Sequence, residues 1–461
     1  MSHPPIPPQK PSDEFASVDL GDKRLTKRLQ KTVTSMTEKP SESILGACGT
    51  KHDAKAFYSL LSNESFMNEK LQAAAQSATR ERISTSGLAE VLLVQDTTDV
   101  NLGGHEKTKG LGLSSNQSTK GIQVHSCIAF APSGVPMGLA AQQYHTRLTP
   151  KSDLTQSQKQ SLPIEEKESY RWLTTAQAAL NVVPKDIRPI MICDREGDFY
   201  ELYEEMLSSN MSFVVRVAHN RITSDGQKAI EQLRKTNACG EVEICIPRDT
   251  RKNRPARTAQ METAYCTTTI YKPKNVRKNS AASLTVTFVR ITEIGEITGE
   301  LIEWVLVTNM PVTSAEDALK VVAYYVHRWK IERFHYVLKS GCQVEKIQQR
   351  TYDRILPILT ICSVIALHIL AMTYLSRLNP ETPCDTFLDE EEWTLLYMLA
   401  NKCKTAPNVP YSLKLAVDYL GQLGAFKHSP SNGDYGVKAI WKGLTKLFDS
   451  ISVARILMGQ G

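Results

Sequence analysis

Two short apolar runs, each ending in an acid, constrain this chain more than any other feature. They are Glu90-Val-Leu-Leu-Val-Gln-Asp96 and Pro189-Ile-Met-Ile-Cys-Asp194. Runs of this length and composition read as buried strands. Between them lies a hairpin over Val124–Ala140, in which a Pro132-Ser-Gly134 turn separates two strand-like halves. A helix follows over about Glu165–Leu180, and Phe213-Val-Val-Arg-Val217 is a further strand. Strands interleaved with helices predict an α/β core.

The flanks have a different character. Met1–Ser12 is a proline-rich tail, the composition of a disordered segment. Leu25, Leu29, Val33 and Met36 then fall at helical spacing, with Asp22 placed to cap the helix. Lys23, Arg24, Lys27, Arg28 and Lys31 cover the other faces. Two more helices are expected over Ala54–Leu61 and Asn68–Ile83. From about Gly240 to Thr308 the pattern is β-rich with basic turns. Nine basic and two acidic residues lie between Arg248 and Lys278, among them Arg251, Lys252, Arg254 and Arg257. Clustered Lys and Arg neutralise phosphates and release counterions, so this is a nucleic-acid footprint. After Thr313 the chain is helical. Ile355–Leu375 is long enough to cross a bilayer, yet it carries Pro357, Thr360, Ser363 and His368 and reads as a buried core helix. Asn379–Glu392 is an acidic linker. Ile440, Leu444, Leu447 and Ile451 form a late apolar stripe, suited either to internal packing or to a partner helix.

Composition limits the classes of function. The chain has 461 residues, 41% hydrophobic and 23% charged, which excludes collagenous and wholly disordered proteins and allows two to four domains. Its net charge of +6 permits a polyanionic partner without requiring one. None of the ten cysteines forms a Cys-x-x-Cys pair, so structural zinc is not expected. Reduced cysteines and no signal peptide point to the cytoplasm. No phosphate-binding loop follows Gly110-Leu-Gly112, so no nucleotide cofactor is expected. No membrane partner is expected either.

Acids just past adjacent central strands converge where α/β sheets bind ligands. Two such carboxylates repel unless a cation lies between them, and oxygen ligands favour Mg²⁺ or Mn²⁺. A third element is Ala323-Tyr-Tyr-Val-His-Arg-Trp-Lys-Ile-Glu-Arg-Phe-His-Tyr-Val-Leu-Lys339. On a continuous helix of ~100° per residue, Tyr325, Arg328, Glu332 and Lys339 share one stripe about 21 Å long. That length suits successive phosphates of a strand better than one small molecule.

The spacing Tyr325-x2-Arg328-x3-Glu332-x6-Lys339 resembles the YREK signature of bacterial cut-and-paste DDE transposases of the insertion-sequence-four group. Gln95-Asp-Thr-Thr98 and Cys193-Asp-Arg-Glu-Gly-Asp198 resemble the surroundings of that family's first two acids. Leu20-Gly-Asp-Lys-Arg-Leu, Phe213-Val-Val-Arg216, Arg251-Lys-Asn-Arg-Pro-Ala-Arg257 and Leu423-Gly-Ala-Phe426 resemble segments of its transposon-five branch. The resemblance covers nearly the whole chain from about Phe15, in collinear order.

The resemblance implies a ribonuclease-H-like catalytic core with a β-rich insertion, flanked by helical N- and C-terminal domains. The expected division is a tail at 1–14, a DNA-binding domain at 15–75, a catalytic domain at 76–376 with its insertion at about 225–310, and a dimerisation domain at 377–461. Asp96, Asp194 and Glu332 are implied as the catalytic acids, holding two Mg²⁺ ions, with Mn²⁺ as substitute. Tyr325, Arg328, Lys339, Trp304, Arg216, Arg251, Lys252, Arg254, Arg257, Arg24 and Arg28 are implied as DNA contacts, with Trp304 stacking on a flipped base. The expected partners are double-stranded DNA, both transposon ends and target, and a second copy of the chain in a paired-end complex. The expected activity is cleavage through a hairpin intermediate and joining of 3′ ends to target DNA, in a cytoplasmic, nucleoid-associated protein. Two alternatives are a catalytically inactive DNA-binding regulator and a metal-dependent nuclease without strand transfer.

Overall fold

The computed structural model describes residues 10–115, 119–147, 155, 158, 162–246, 257–274, 276, 279–295, 301–424 and 435–458. The N-terminal helices are α1 (Lys23–Glu38), α2 (Ile44–Cys48), α3 (Lys51–Leu60) and α4 (Asn68–Thr85). Asp22 caps α1 by accepting the Arg24 amide proton at 2.8 Å, and Leu29, Val33 and Met36 are buried as the spacing predicts. The segment ahead of α1 is tied down by a buried ion pair, Glu14 to Arg82 of α4, at 3.0 Å. Arg82 also donates to the Met137 carbonyl.

The core follows as β1 (Glu90–Asn101), β2 (Gly121–Phe130), β3 (Pro136–His145), α5 (Tyr170–Leu180), β4 (Arg188–Cys193), α6 (Tyr200–Ser208) and β5 (Ser212–Arg216). The turn between β2 and β3 holds Gly134 at φ +88°, a conformation that side chains other than hydrogen resist. Then come α7 (Ala229–Arg234), β6 (Gly240–Ile246), β7 (Arg257–Tyr271), β8 (Ser283–Glu293) and β9 (Glu303–Thr308). All nine strands join one sheet in the order β3-β2-β1-β4-β5-β9-β8-β7-β6. Strands β1, β4 and β5 are parallel neighbours, while β2 and β3 fold back antiparallel on one side. The order β3-β2-β1-β4-β5, with β2 reversed, is a ribonuclease-H-like core. The later strands extend it through the antiparallel pair β5–β9. In a sheet of this kind the central strands are buried on both faces, and Val91–Val94, Ile190–Cys193 and Phe213–Val215 are fully covered.

The last third is helical: α8 (Ala315–Val326), α9 (Trp329–Tyr336), α10 (Tyr352–Leu378), α11 (Glu390–Asn401), α12 (Leu413–Leu423) and α13 (Val437–Leu457). Helix α10 is apolar enough to cross a membrane, but 94% of its apolar window is buried inside the protein. It packs on α4 and β3 on one side and on α12 and α13 on the other. The acidic stretch before α11 is no open linker, because Asp389 and Glu392 form a capping box that starts that helix.

The Ile440 stripe is internal. Ile440, Leu444, Leu447 and Ile451 are all buried within one protomer, where α13 crosses α11 and α12. At the crossing with α12 the backbones nearly touch: a Cβ on Gly443 would stand 2.0 Å from the Leu420 carbonyl oxygen. The partner-helix reading of that stripe is therefore corrected. The apolar residues that α13 leaves exposed are Val453, Ile456 and Leu457, with Met458 just beyond.

Candidate active site

Asp96 and Asp194 meet because β1 and β4 pair in parallel, with Val94 level with Ile192. The apolar run ends at Asp96, but β1 itself continues to Asn101. Asp194 stands just past the end of β4, where its carboxylate caps a short 3-10 turn through the Glu196 amide at 2.8 Å. A cavity of about 360 Å³ opens over both acids, lined by Asp96, Thr97, Thr98, Asp194, Arg195, Arg216, Tyr325, Arg328, Glu332 and His335. Glu332 enters it from α9.

The electrostatics follow from burial. The Asp96 carboxyl is pushed up to about 7, by desolvation first and by the neighbouring Asp194 second, against the pull of Arg328. Asp194 is also raised by burial, with the Glu196 amide working the other way. Arg328 is buried between the acids. One guanidinium nitrogen lies 3.8 Å from Asp96 Oδ2 and another 2.6 Å from Glu332 Oε1, with the Trp329 ring 4.8 Å away. Its Nε is buried without a partner.

The predicted straight stripe from Tyr325 to Lys339 is interrupted twice. Between α8 and α9 the amides of His327, Arg328, Lys330 and Ile331 bond to carbonyls three residues back. Two side chains fix this tight turn to the β2–β3 turn: His327 Nε2 lies 3.0 Å from the Pro132 carbonyl, and Lys330 Nζ donates to the Gly134 carbonyl at 2.7 Å. Beyond α9, residues Val337–Gly341 form a π turn, which swings Lys339 to the far end of β1. There it donates to the Asp99 carbonyl at 2.7 Å and pairs with Glu345 at 3.2 Å. Tyr325, Arg328 and Glu332 thus line one cavity, and Lys339 stands apart from it.

The other predicted contacts are scattered. Trp304 is a buried residue on β9, edge-on to Tyr325 at 5.7 Å between centroids. Arg216, at the end of β5, lies 6.0 Å from the Trp304 ring centre and lines the cavity. Arg257 is half-buried in an ion pair with Glu293, which fixes it at the start of β7. Arg24 and Arg28 are exposed on α1, with Arg24 paired to Asp22. Arg251, Lys252 and Arg254 lie outside the described residues.

The sequence reading passed over Thr97, Thr98, Arg195 and His335. Arg195 follows Asp194 directly, and His335 lies one helical turn beyond Glu332, so both were within reach of the motif. A buried set behind Asp96 was not legible. His125 of β2 lies 2.8 Å from Thr97 Oγ1 and 2.9 Å from Gln95 Oε1, which fixes both chain neighbours of Asp96.

Oxygen-only acids beside arginines suit a hard divalent cation and a phosphate. Among the described residues, no three His, Cys, Asp or Glu side chains stand together as a ready metal site. Glu332 is drawn instead to Arg328.

Residues 11–66 match the transposase DNA-binding domain family, and residues 174–367 match the transposase DDE domain family. The chain carries a transposase DDE domain. The DDE match takes in Asp194 and Glu332 and begins after Asp96. The N-terminal match covers α1, α2 and α3, with Arg24 and Arg28. Among solved structures, the chain is similar to a piggyBac transposase synaptic complex with hairpin DNA determined by cryo-electron microscopy. Identity is 9% and the TM-score 0.36, over 98% of this chain and 82% of that one. A transposase DDE domain beside a transposase DNA-binding domain is the equipment of a metal-dependent enzyme acting on DNA.

Proposed function

We propose that this transposase works by cut-and-paste, in the manner of the insertion-sequence-four group and its transposon-five branch. It binds transposon ends, cleaves them through a hairpin intermediate and joins the freed 3′ ends to target DNA. The observation that carries this reading is that Asp96 on β1, Asp194 just past the adjacent parallel strand β4 and Glu332 from α9 line one cavity.

In this reading Asp96, Asp194 and Glu332 hold Mg²⁺, two ions per site, with Mn²⁺ able to replace it. The donor set fits: two half-buried carboxylates repel and gain from a cation between them, and the third is available once it leaves Arg328. Bound there, the ions would supply Lewis-acid activation of an attacking oxygen and stabilisation of a leaving one. The chain's own residues do the rest. Arg328 and Arg216 place guanidinium groups beside the acids, where they orient a phosphodiester through charge-assisted hydrogen bonds. Trp304 and Tyr325 supply an aromatic wall on which a base turned out of the duplex can stack. Lys339 grips a phosphate further along. Arg24 and Arg28 of α1, with Arg257 and the neighbouring Arg251, Lys252 and Arg254, contact the end sequence. The protein acts as a homodimer that pairs two ends, with the exposed end of α13 as the contact, in the bacterial cytoplasm.

The test is cleavage of linear DNA carrying the element's own end, with Mg²⁺ or Mn²⁺, resolved on a denaturing gel. Metal-dependent nicks and hairpins, lost in Asp96→Ala and Glu332→Ala, support the reading. Tight binding without cleavage under either metal overturns it in favour of an inactive regulator. Nicks without hairpin or joined products favour a plain nuclease.

A further inference from the structure

The three acids of the cavity are not held alike. Asp96 lies on β1 and Asp194 just past β4, so sheet pairing fixes both. Glu332 has no such support. It sits on α9, a helix of eight residues that starts after Arg328 without a side-chain cap. A helix that short has little stability of its own. Its direction, and with it the place of Glu332, depends on what grips it.

The grip comes from behind. At ~100° per residue, Lys330 lies about 200° around α9 from Glu332, and it does not line the cavity. Its ammonium donates to the Gly134 carbonyl at 2.7 Å and stands 4.7 Å from the centre of the Tyr374 ring on α10. Among the described residues it has no carboxylate partner. An ammonium taken out of water without a counter-charge is costly, and an apolar side chain would pack there at lower cost. His327, three residues earlier, holds the same turn. Its Nε2 lies 3.0 Å from the Pro132 carbonyl; a carbonyl only accepts, so that nitrogen carries the proton. The turn is itself closed twice. The Gly134 amide donates to the Ala131 carbonyl at 2.7 Å, and the Ala131 amide to the Val135 carbonyl at 2.9 Å. The joint has no slack: a Cβ on Gly134 would stand 1.6 Å from Lys330 Nζ and 2.7 Å from the His327 ring.

We propose that Lys330 is a positioning residue for Glu332, holding α9 against the β2–β3 turn at the setting from which Glu332 reaches a cation shared with Asp96 and Asp194. The inference rests on the reading of these acids as cation ligands. His327 is the second tie of the same joint. Lys330 acts only through the helix that carries Glu332. Residues that orient a ligand from outside commonly change metal affinity by about 10–100-fold when removed.

The experiment is a double-mutant cycle on the full chain. It is read by Mn²⁺ titration, with the electron paramagnetic resonance signal of free Mn²⁺, and by thermal melts. Lys330→Met removes the ammonium and keeps the length of the side chain. Glu332→Gln removes the acid through which Lys330 acts and leaves Asp96 and Asp194 to bind the ion more weakly. The expected result is Mn²⁺ binding weakened about 10-fold by Lys330→Met alone, with a melting midpoint near wild type. In the Glu332→Gln background Lys330→Met should weaken binding no further. General loosening of the protein would weaken it in both backgrounds. His327→Phe cuts the second tie, keeps a ring and passes through the same cycle, so the test stands if Lys330→Met fails to fold. Wild-type affinity in Lys330→Met and His327→Phe overturns the proposal, and so does an equal loss with and without Glu332. If Asp96→Asn abolishes binding while Lys330→Met keeps it, only the role of Lys330 fails. If Asp96→Asn binds Mn²⁺ as wild type does, the reading of the site fails and the proposal with it.

Discussion

Asp96 lies on β1 two residues beyond Val94, and Asp194 lies two residues beyond its paired neighbour Ile192, just past the end of the parallel strand β4. Each carboxylate raises the cost of ionising the other in a place where water is scarce. The site is therefore built at the expense of stability; Arg328 offsets part of the repulsion, and a cation or a proton relieves the rest. Asp96→Asn removes one of the two charges and keeps the shape. It should stabilise the cation-free protein by about 1–3 kcal/mol at pH 8, seen by urea denaturation in chelator. The same variant should lose metal-dependent nicking of end DNA. A variant that is destabilised in chelator would contradict this account of the site.

The pH dependence has a definite sign. Asp96 and Glu14 are each pushed up to about 7, both by burial first. A carboxyl raised on folding binds more protons in the folded chain than in the unfolded one between about pH 4 and pH 7. Stability without cations should therefore fall as pH rises through that window. Asp96→Asn and Glu14→Gln should each flatten part of the fall, and additively, because the two residues share no contact. Divalent cation must displace the Asp96 proton, so Mn²⁺ affinity should rise with pH up to about 7 and then level. Isothermal titration in buffers of different ionisation heat would report the released proton.

The core was legible in the sequence because its strands are short, apolar and punctuated. The acids, the hairpin turn and the buried α10 follow from local pattern. The bend between α8 and α9 was not. Every residue from Tyr324 to Ile331 is compatible with straight helix, and the bend comes from His327 and Lys330 reaching carbonyls on a turn nearly 200 residues earlier. Helical periodicity cannot register a contact so remote. The same holds for Arg257, whose partner Glu293 lies at the end of the next strand, β8. Periodicity did place the Ile440 stripe on one face of a helix, but a buried face looks the same whether its cover comes from the same chain or another.

That last distinction yields a prediction. Leu444 is buried on the side of α13 that faces α1 and α10, lining a small cavity with Thr37, Ile369 and Met372, so Leu444→Glu places a charge in a core and should destabilise the protein by about 3 kcal/mol or more. A melt would show this before any assembly is measured. Leu457 is 81% exposed, so Leu457→Glu should leave the melt unchanged within about 0.5 kcal/mol. If the end of α13 joins two copies, Leu457→Glu should keep single-end binding and lose paired-end complexes in a mobility-shift assay. Paired complexes at wild-type yield would exclude that contact.

Arg328 offers a test in which two readouts move in opposite directions. Its guanidinium lies between Asp96 and Glu332 and holds Glu332 at 2.6 Å. A positive charge there lowers the attraction of both acids for a cation. Arg328→Gln removes the charge and keeps a polar side chain of lesser reach. In the absence of DNA it should bind Mn²⁺ several-fold more tightly than wild type, because Glu332 is released toward the other acids. With DNA it should cleave far more slowly, because a group placed to orient the phosphodiester is gone; loss of one such donor commonly costs about 10²–10³ in rate. An Arg328 that served only to brace α9 would move neither cation affinity nor the rate without also lowering the melting midpoint. Tighter Mn²⁺ binding, slower nicking and an unchanged melt together would identify a side chain that holds the site closed to metal until a phosphate draws it away.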